Sequence, residues 1–404
     1  MKKTNYLRLW LRNFRDIAVG ELQGLVRDGG VMLIFTLGAL GYPLLYSYIY
    51  SHGILEDTSI AVVDASDCPQ SRRYIREMDA TRELDVRYKC VSMQEAERLM
   101  QRRKVNGIVY FPADFGDRIA LGETATLSIY ADMSSFLYYK NLLMGTNFVM
   151  LDELKRIQVE RYAAAGYGGQ EISQLVEPIR YEENNPYNRA FSYTIFFLSA
   201  ALLLIVQQTM FYGMSLRAGT MREENRSFAR LKDSLQGVGV GRIVLGRGAA
   251  YGLLYLGIAI YIATIVPALF GLPQRGSFWD ILVLLLIYVM DCVLFSETWS
   301  SLITRRETVF VLLLFISPVA IFLTGFSWPV TAFPKFWRLF SCLFPSTFAC
   351  RAFINLNTAG GDLSTVEPLL RALVIQSAVY YFLASAAVYI ENRVIKLFFL
   401  RKNA

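Results

Sequence analysis

The stretch ILVLLLIYVMDCVLFSETWSSLI, residues 281–303, sets the class of the whole chain. It contains no Lys or Arg, and only Asp291 and Glu297 carry charge. A helix needs about 20 consecutive, mainly apolar residues to cross roughly 30 Å of hydrocarbon. The stretch therefore predicts a transmembrane helix that holds two carboxyl groups.

Other runs along the chain have the same apolar character. The 404 residues are 54% hydrophobic, and a soluble core does not require long uncharged runs. The first of these runs follows about thirty residues and has no small-residue cleavage site after it, so we expect a retained anchor rather than a signal peptide. The sequence predicts an α-helical polytopic membrane protein with six transmembrane helices, the other five at residues 31–50, 191–214, 248–272, 308–324 and 372–390.

Lys and Arg are distributed unevenly between the loops. They concentrate before residue 31, in the link 217–247, at Arg305 and Arg306, and at the C-terminal end. These segments fall on one side of the membrane if six helices alternate, and basic loops face the cytoplasm. We therefore expect both termini to be cytoplasmic in a bacterial inner membrane. The net charge of +7 is then mainly this sorting signal, and no nucleic-acid partner is expected.

A long insert, residues 51–190, separates the first two predicted spans. It alternates short β-type and helical segments, beginning with TSIAVVD, and it is long enough to hold its own core. Ser92 and Glu95 have the spacing of a capping box, which predicts a helix start. Residues 135–165 predict one long helix. The insert is predicted to be an extracytoplasmic α/β domain, followed by five spans in residues 191–404.

The first segment, residues 1–30, is amphipathic. Such a helix typically lies in the membrane interface, with its basic residues toward anionic lipid head groups. Packing against a soluble partner is the alternative. The apolar stripe on which both readings rest consists of Leu7, Trp10, Leu11, Phe14, Ile17, Ala18, Leu22 and Leu25.

Four of the five cysteines are external in this topology: Cys68, Cys90, Cys342 and Cys350. An oxidising compartment permits disulfides, but four cysteines allow three pairings. Buried free thiols are the equal alternative. Cys292, within the predicted span 281–303, is expected to serve packing.

Signatures of enzymes are scarce. One histidine, His52, leaves little basis for a metal site or for histidine acid–base chemistry. No Gly-x-x-x-x-Gly-Lys-Ser/Thr sequence occurs, so the chain has no Walker A loop. GVGVGR, residues 237–242, lacks the lysine and a preceding strand, and it reads as a flexible loop. We expect a non-enzyme without its own cofactor or metal.

The order of these features resembles the membrane subunit of ATP-binding-cassette type-2 exporters, in the branch with a large extracytoplasmic domain after the first helix. The resemblance extends over nearly the full length. The residues that carry it are VDASDCPQSRRYIREM, GIVYFPADFGDRIALGE, Asn185-Pro186 before the second span, Gly219-Thr220, and TGFSWPVTAFP.

The resemblance implies an exporter permease that works with a separate ATPase subunit, which would bind ATP and Mg. A cytoplasmic coupling loop, 215–247, would dock that ATPase. An acidic residue commonly precedes the family's Gly-Thr by two positions, where this chain has Arg217. An ordinary basic loop is the alternative. The expected coupling residues are Gly219, Thr220, Arg222, Glu223 and Glu224.

The resemblance also implies that residues 324–353 form a re-entrant segment on the outer side. Proline and glycine stop a helix, and broken backbone at membrane depth needs protein or water to satisfy it. An exposed loop with anchoring aromatics is the alternative. The expected outer gate consists of Gly325, Phe326, Trp328, Pro329, Phe333 and Pro334.

Asp291 and Glu297 stand where the family usually has small or apolar residues. Six residues apart, they differ by about 120° around a helix and do not form a carboxylate pair. Each is expected to face the protein interior, because a charged residue is costly in lipid. They are candidates for a translocation path, with Gln207 and Gln208 as weaker ones. Structural acids at a helix interface are the alternative.

Two function classes remain at this stage. The first is an exporter permease, which would pair with an ATPase, with a second copy or a homologous permease, and with a periplasmic adaptor. The second is a non-transport receptor or assembly scaffold whose external domain binds a ligand or partner. The transported substrate is not readable from the residues.

Overall fold

The computed structural model describes residues 2–51, 53, 55–179, 187–188, 192–224, 239–325 and 327–402. The chain divides into two compact units. One consists of Met1–Gly53 with Pro186–Ala404, and the other of Ile54–Asn185. His52 and Phe326 lie outside the described residues.

The first unit begins with two helices. Helix α1, Lys2–Arg27, is followed by α2, Gly29–Ile49, the first candidate membrane span. Asp28 separates them, and its side chain accepts a hydrogen bond from the N–H of Val31, which caps α2. The apolar side of α1 is partly covered by the protein, since Ile17 and Leu25 are buried while Leu11 is exposed.

The second unit is an α/β fold, and it confirms the predicted strands and helices. Its sheet has the order β2-β1-β3-β4, in which only β4 runs antiparallel. Ser92 caps α4 as predicted, accepting from the N–H of Glu95. The elements are β1 Thr58–Asp64, α3 Pro69–Asp79, β2 Leu84–Cys90, α4 Met93–Gln101, β3 Gly107–Phe111, α5 Phe115–Leu121, β4 Ser128–Ala131, α6 Phe136–Ala164 and α7 Gly169–Val176.

Strand β1 shows why this sheet has a core on both faces. Successive side chains of a strand point to opposite sides. Ile60 and Val62 belong to one buried cluster, and Ala61 and Val63 to another. A strand that is buried on both faces reads as a continuous apolar run, as TSIAVVD does.

The rest of the first unit is helical. Within the described residues, six helices are long and apolar enough to span a membrane, which confirms the predicted fold class. The first of the six is α2, and the other five lie in α8 Tyr193–Glu223, α9 Val240–Leu269, α10 Phe278–Ser300, α11 Arg306–Leu323 and α14 Glu367–Lys402. The shorter helices α12 Lys335–Ser341 and α13 Pro345–Thr358 stand between α11 and α14.

Helix α10, formed by the stretch that predicted the fold, lies at the centre of this unit. It packs against α8, α9, α13 and α14. Its buried residues include both acids, Asp291 and Glu297, together with Cys292. A helix covered on several sides keeps polar groups away from lipid, which is where intramembrane charges are tolerated.

The segment between α11 and α14 contains a sharp break. Helices α12 and α13 are bent by 83° relative to each other, and the pair is either a broken span or a re-entrant loop. Proline is compatible with both starts, because Pro334 caps α12 and Pro345 stands at the beginning of α13. Gly325 has φ +84°, a conformation that glycine adopts at no steric cost.

The helices extend further into the predicted coupling loop than the hydropathy indicated. Residues 215–223 continue α8, and α9 already begins at Val240. Charged residues normally mark the end of an apolar run. Here Arg217, Arg222 and Arg247 are partly or fully buried within the helices. The predicted GVGVGR loop is likewise helical from Val240 onward.

All five cysteines lie within the described residues, and each is a free thiol. Cys68 packs against the apolar cluster on one face of the sheet, whereas Cys90 belongs to the cluster on the other face. Cys350 is fully buried among helices, and Cys342 is exposed. The four cysteines expected outside are therefore free thiols in this structure, but only Cys90 and Cys350 are buried as the alternative expected.

Candidate functional site

The end of helix α8 joins three other helices. Arg222 donates to the backbone carbonyl of Ser300 at 2.9 Å and to that of Ile303, both at the end of α10. Its Nε lies 3.4 Å from a carboxylate oxygen of Glu391 on α14. Glu223 accepts from the N–H of Arg306 at 2.9 Å and pairs with that side chain.

Gly219 brings α8 close to the start of α11. A Cβ atom at Gly219 would lie 2.7 Å from the backbone nitrogen of Arg306, which is closer than real Cβ contacts. Thr220 bonds to the carbonyl of Leu216 within its own helix. The described residues of the predicted coupling segment thus mainly contact other parts of this chain. Residues 225–238 lie outside the described residues.

Arg217 connects α8 to α1 and α2. Its Nη1 lies 3.7 Å from Asp28, the residue that caps α2. The guanidinium occupies the space over Gly24 of α1, because a Cβ there would collide with it. The side chain therefore places a cation against both of the first two helices.

Asp291 faces helix α14. Its side chain is fully buried and lies beside the hydroxyl of Ser377. Neither carboxylate oxygen has hydrogen-bond geometry to any described residue. Burying a charged carboxylate without a partner costs free energy, so this environment favours the neutral acid.

Glu297 faces a different set of helices. It interacts electrostatically with Arg247 of α9 and with Glu21 of α1. Glu21 in turn accepts a hydrogen bond from the hydroxyl of Tyr251 at 3.3 Å. Asp291 and Glu297 therefore do not meet, in agreement with their predicted rotation around the helix.

The two glutamines bind other elements of the bundle. Gln207 Oε1 accepts from the backbone N–H of Ser346 at 2.7 Å, at the first turn of α13. The amide nitrogen of Gln208 donates to the carbonyl of Ser317 on α11 at 3.3 Å. Both side chains satisfy backbone groups near helix breaks, which is a structural use of polar residues in membranes.

The residues of the expected outer gate are spread over several environments. Trp328 is 60% exposed, while Phe333 is half-buried against the helical core. A Cβ at Gly325 would collide with the side chain of Val330, so the turn is tightly closed. Pro329 and Pro334 flank the short turn Val330–Ala332 and the start of α12. The structure thus brings Gly325 and the prolines into one compact turn.

A groove lies between α9 and α10, beside Phe14 of α1. Its cavity has a volume of about 630 Å³ and an almost entirely apolar lining. Gly248 and Gly252 form part of its wall on α9, and Met290 and Val293 form part of it on α10. A Cβ at Gly248 would lie 3.1 Å from the Cγ1 of Val293 and 3.9 Å from the Oε1 of Glu297, so Val293 is the nearer side chain at this point of the wall.

Sequence reasoning missed Glu21, Asp28 and Arg247. Arg247 was assigned to the basic loop, although it is almost fully buried in α9. The available signal was an acid, Glu21, on the apolar side of an amphipathic helix, whereas its other acid, Asp16, lies next to Arg15 on the polar side. The spacing of Glu21 from Ile17 and Leu25 is four residues in each direction, which places it on the buried face.

Comparison with known protein families gives one match. The family described as ABC-2 family transporter protein matches residues 30–386. No curated protein matches the chain.

Proposed function

The chain belongs to the ABC-2 transporter family, since that family matches most of its length, and from this premise we propose an exporter permease. It is a multi-pass membrane component of an ABC transporter. The proposal adds that it moves a substrate outward when a separate ATPase subunit binds and hydrolyses ATP with Mg. The observation that carries it is the cluster at the end of α8, defined by Arg222, Glu223, Arg306 and Glu391.

This cluster gives a mechanical route from the ATPase to the spans. A push on the segment after Glu223 acts on α8, and through Arg222 it also acts on the end of α10 and on α14 at Glu391. Through Glu223 it acts on the start of α11. Charge-assisted hydrogen bonds are directional, so the four connected helices, α8, α10, α11 and α14, would move together. Thr220 and Glu224 would belong to the same coupling region.

The proposed orientation follows the basic loops. Both termini and the segment after α8 would face the cytoplasm of a bacterial cell, across its inner membrane. The α/β unit, Ile54–Asn185, would then be extracytoplasmic, as in the family branch with a large domain after the first span. A periplasmic adaptor is the corresponding external partner.

A second permease, identical or homologous, is also proposed. Helix α11 is poorly covered by its own chain, and Phe310, Leu314 and Phe315 on it are exposed. An unpartnered apolar helix face in a membrane meets either lipid or another protein. A two-fold pair of permeases would cover such faces symmetrically.

The substrate path is proposed to run between the permease halves, with the turn at Gly325, Phe326, Trp328 and Phe333 as its outer gate. Asp291, Glu297, Gln207 and Gln208 are candidates along it. The alternative for Gln207 is a structural role, and it is supported by the hydrogen bond that its amide oxygen accepts from the backbone N–H of Ser346.

The experiment is co-purification of this chain with an ATP-binding-cassette ATPase from the same cell, followed by reconstitution. We expect a stable complex whose ATP hydrolysis is stimulated by a transported substrate, and no hydrolysis by this chain purified without the ATPase. ATP hydrolysis by the clean chain, or a failure of any ATPase to associate, would contradict the proposal.

A further inference from the structure

The groove between α9 and α10 is long and narrow. Its lining on α9 runs from Val244 to Leu256, which is about 18 Å at 1.5 Å per residue. A volume of about 630 Å³ over that length gives a mean cross-section of about 35 Å². A helix with its side chains is about 10 Å across, so its cross-section of about 80 Å² is too large for the groove. The groove therefore suits an occupant slimmer than a helix.

The walls of the groove disfavour a polar occupant. Each described residue that lines it either has an apolar side chain or is glycine. A polar group buried there without a hydrogen-bond partner would cost free energy. Gly252 leaves room in the wall, because a Cβ there would meet nothing within 4 Å. Apolar walls that face such room gain dispersion contacts from a hydrocarbon chain.

The groove opens to the surface of the helical unit. Val244 and Leu294 are buried and form its floor, whereas Leu253 and Met290 at its rim are 72% and 54% exposed. Both α9 and α10 are candidate membrane spans. A hydrocarbon chain can therefore enter the groove sideways, from the interior of the membrane.

Helix α1 borders one end of the groove. Phe14 contributes to the lining, and Trp10 stacks on it with ring centroids 5.5 Å apart. Ile17 packs α1 onto α9, because a Cβ at Gly246 would lie 2.9 Å from the Cγ2 of Ile17. Helix α1 directly precedes the span α2, and aromatic side chains such as Trp10 favour the level of the lipid head groups. This end of the groove thus lies near the head groups of one leaflet.

The exposed side of α1 beside Phe14 is basic. Arg12 and Arg15 are both exposed, and residues three apart are neighbours on a helix surface. Arg15 pairs with Asp16 at 3.2 Å, while Arg12 has no acidic partner among the described residues. This pair of arginines and one aspartate leaves one net positive charge, which attracts an anionic head group.

We propose that the groove binds one acyl chain of an anionic phospholipid, whose phosphate lies against Arg12 and Arg15 of α1. The narrow apolar groove explains the chain, and the basic residues beside Phe14 explain the negative head group. The lipid is resident rather than transported, and it fills the space between α1, α9 and α10. In the proposed orientation it belongs to the cytoplasmic leaflet.

Binding is tested by native mass spectrometry of the full chain. The chain is released from nanodiscs that contain phosphatidylglycerol and phosphatidylcholine in equal amounts and with the same acyl chains. We expect one phospholipid to stay bound to each chain, with phosphatidylglycerol clearly preferred. Equal retention of the two lipids would overturn the anionic head group. A chain released without lipid would overturn the site.

Two substitutions on α9 test the groove. Gly252→Leu fills it, and Gly257→Leu adds the same side chain at a position that also has open space but lies outside the lining. The retained lipid should be lost in the first variant and kept in the second. Undiminished retention in a folded Gly252→Leu variant would overturn the groove as the site of the chain.

Two substitutions on α1 test the head group, and they decide the question even if Gly252→Leu does not fold. Arg12→Gln should lower the preference for phosphatidylglycerol about fivefold, the effect of one arginine near an anionic lipid. Arg27→Gln is the control, because Arg27 is exposed on the same helix but fifteen residues away. Equal losses in both variants would indicate a general attraction by α1 and overturn the specific site.

The outcome is separable from that of the proposed function, because these measurements need neither ATP nor the ATPase. A complex that transports substrate but whose permease retains no phosphatidylglycerol would overturn the lipid site and leave the exporter proposal intact. A lipid-free dimer that Gly252→Leu dissociates would assign the groove to a second copy of the chain and overturn the lipid site as well.

Discussion

The guanidinium of Arg222 lies 3.4 Å from the carboxylate of Glu391, so the last turn of α8 is tied to α14. The same side chain donates to the carbonyl of Ser300 at the end of α10. Arg222 therefore both pairs with an acid and donates a hydrogen bond to a backbone carbonyl at the end of a helix. Its partners are distant in sequence, and only folding brings them together.

Substituting Arg222 should destabilise the bundle. Arg222→Gln leaves Glu391 without this cation and removes donors from two carbonyls at the end of α10. Losing one partner of a buried pair costs about 3 kcal/mol. The thermal midpoint of the detergent-purified chain should fall by several degrees.

The matched control for that change is Arg371→Gln. Arg371 also pairs with a glutamate, Glu367, but both side chains are largely exposed. An exposed pair contributes about 0–1 kcal/mol, so this variant should melt close to the wild type. Similar losses in both variants would contradict a special role for Arg222.

Gly219→Val should uncouple ATP hydrolysis from transport. Its Cβ would lie 2.7 Å from the backbone of Arg306, so α8 and the start of α11 must separate. We expect the ATPase to remain bound while substrate-stimulated hydrolysis falls strongly. Gly257→Val, at an open position of α9, is the control and should retain stimulation. Normal stimulation in Gly219→Val would exclude this contact from coupling.

Asp291→Asn should leave export and folding close to those of the wild type. Both carboxylate oxygens lack a hydrogen-bond partner within the described residues, so no identified bond is lost. Asp291→Leu should also fold, since replacing an unpartnered buried acid by an apolar residue is neutral or stabilising. Export from reconstituted vesicles and thermal midpoints check both expectations. Lost export by a stable, ATPase-bound Asn variant would assign Asp291 to the translocation path instead.

Labelling should place the α/β unit and the link between α10 and α11 on opposite sides of the membrane. Gln170→Cys and Thr304→Cys introduce thiols at exposed positions of the two segments. The background carries Cys342→Ser and Cys68→Ser, because Cys342 is exposed and Cys68 is half-buried, so that both would react. An impermeant maleimide added to whole cells with permeabilised outer membranes should label position 170 only. Labelling of both positions would refute the proposed topology.

Cys68 should be alkylated faster than Cys90 near neutral pH, in a Cys342→Ser variant that keeps both thiols. Burial raises the pKa of Cys68, but hydrogen bonds involving Ser66 and Ser71 lower that pKa to a net value below the ordinary one. Burial and the charge of Glu95 raise the pKa of Cys90. Since the thiolate reacts, the Cys68 rate should rise at lower pH than the Cys90 rate. Reaction of neither thiol before reduction would instead indicate a disulfide between them.

Much of the fold was readable from the sequence because its signals are local. Residues 281–303 and the other apolar runs follow from transfer into hydrocarbon, which depends on composition. Strand β1 and the cap at Ser92 depend on neighbours within a few residues. The family resemblance was likewise carried by short motifs in a fixed order.

The sequence by itself determined the membrane class, the order of spans and the presence of an α/β insert. Only the tertiary structure decided which charges are inside. Hydropathy assigns three arginines, Arg217, Arg222 and Arg247, to a loop. In the structure they lie in helices, because acids from other helices and backbone carbonyls interact with their guanidinium groups. The groove between α9 and α10 is equally non-local, since these two helices build its walls and α1 contributes Phe14. Coulomb energy and packing depend on distance in space, which the order of residues does not give.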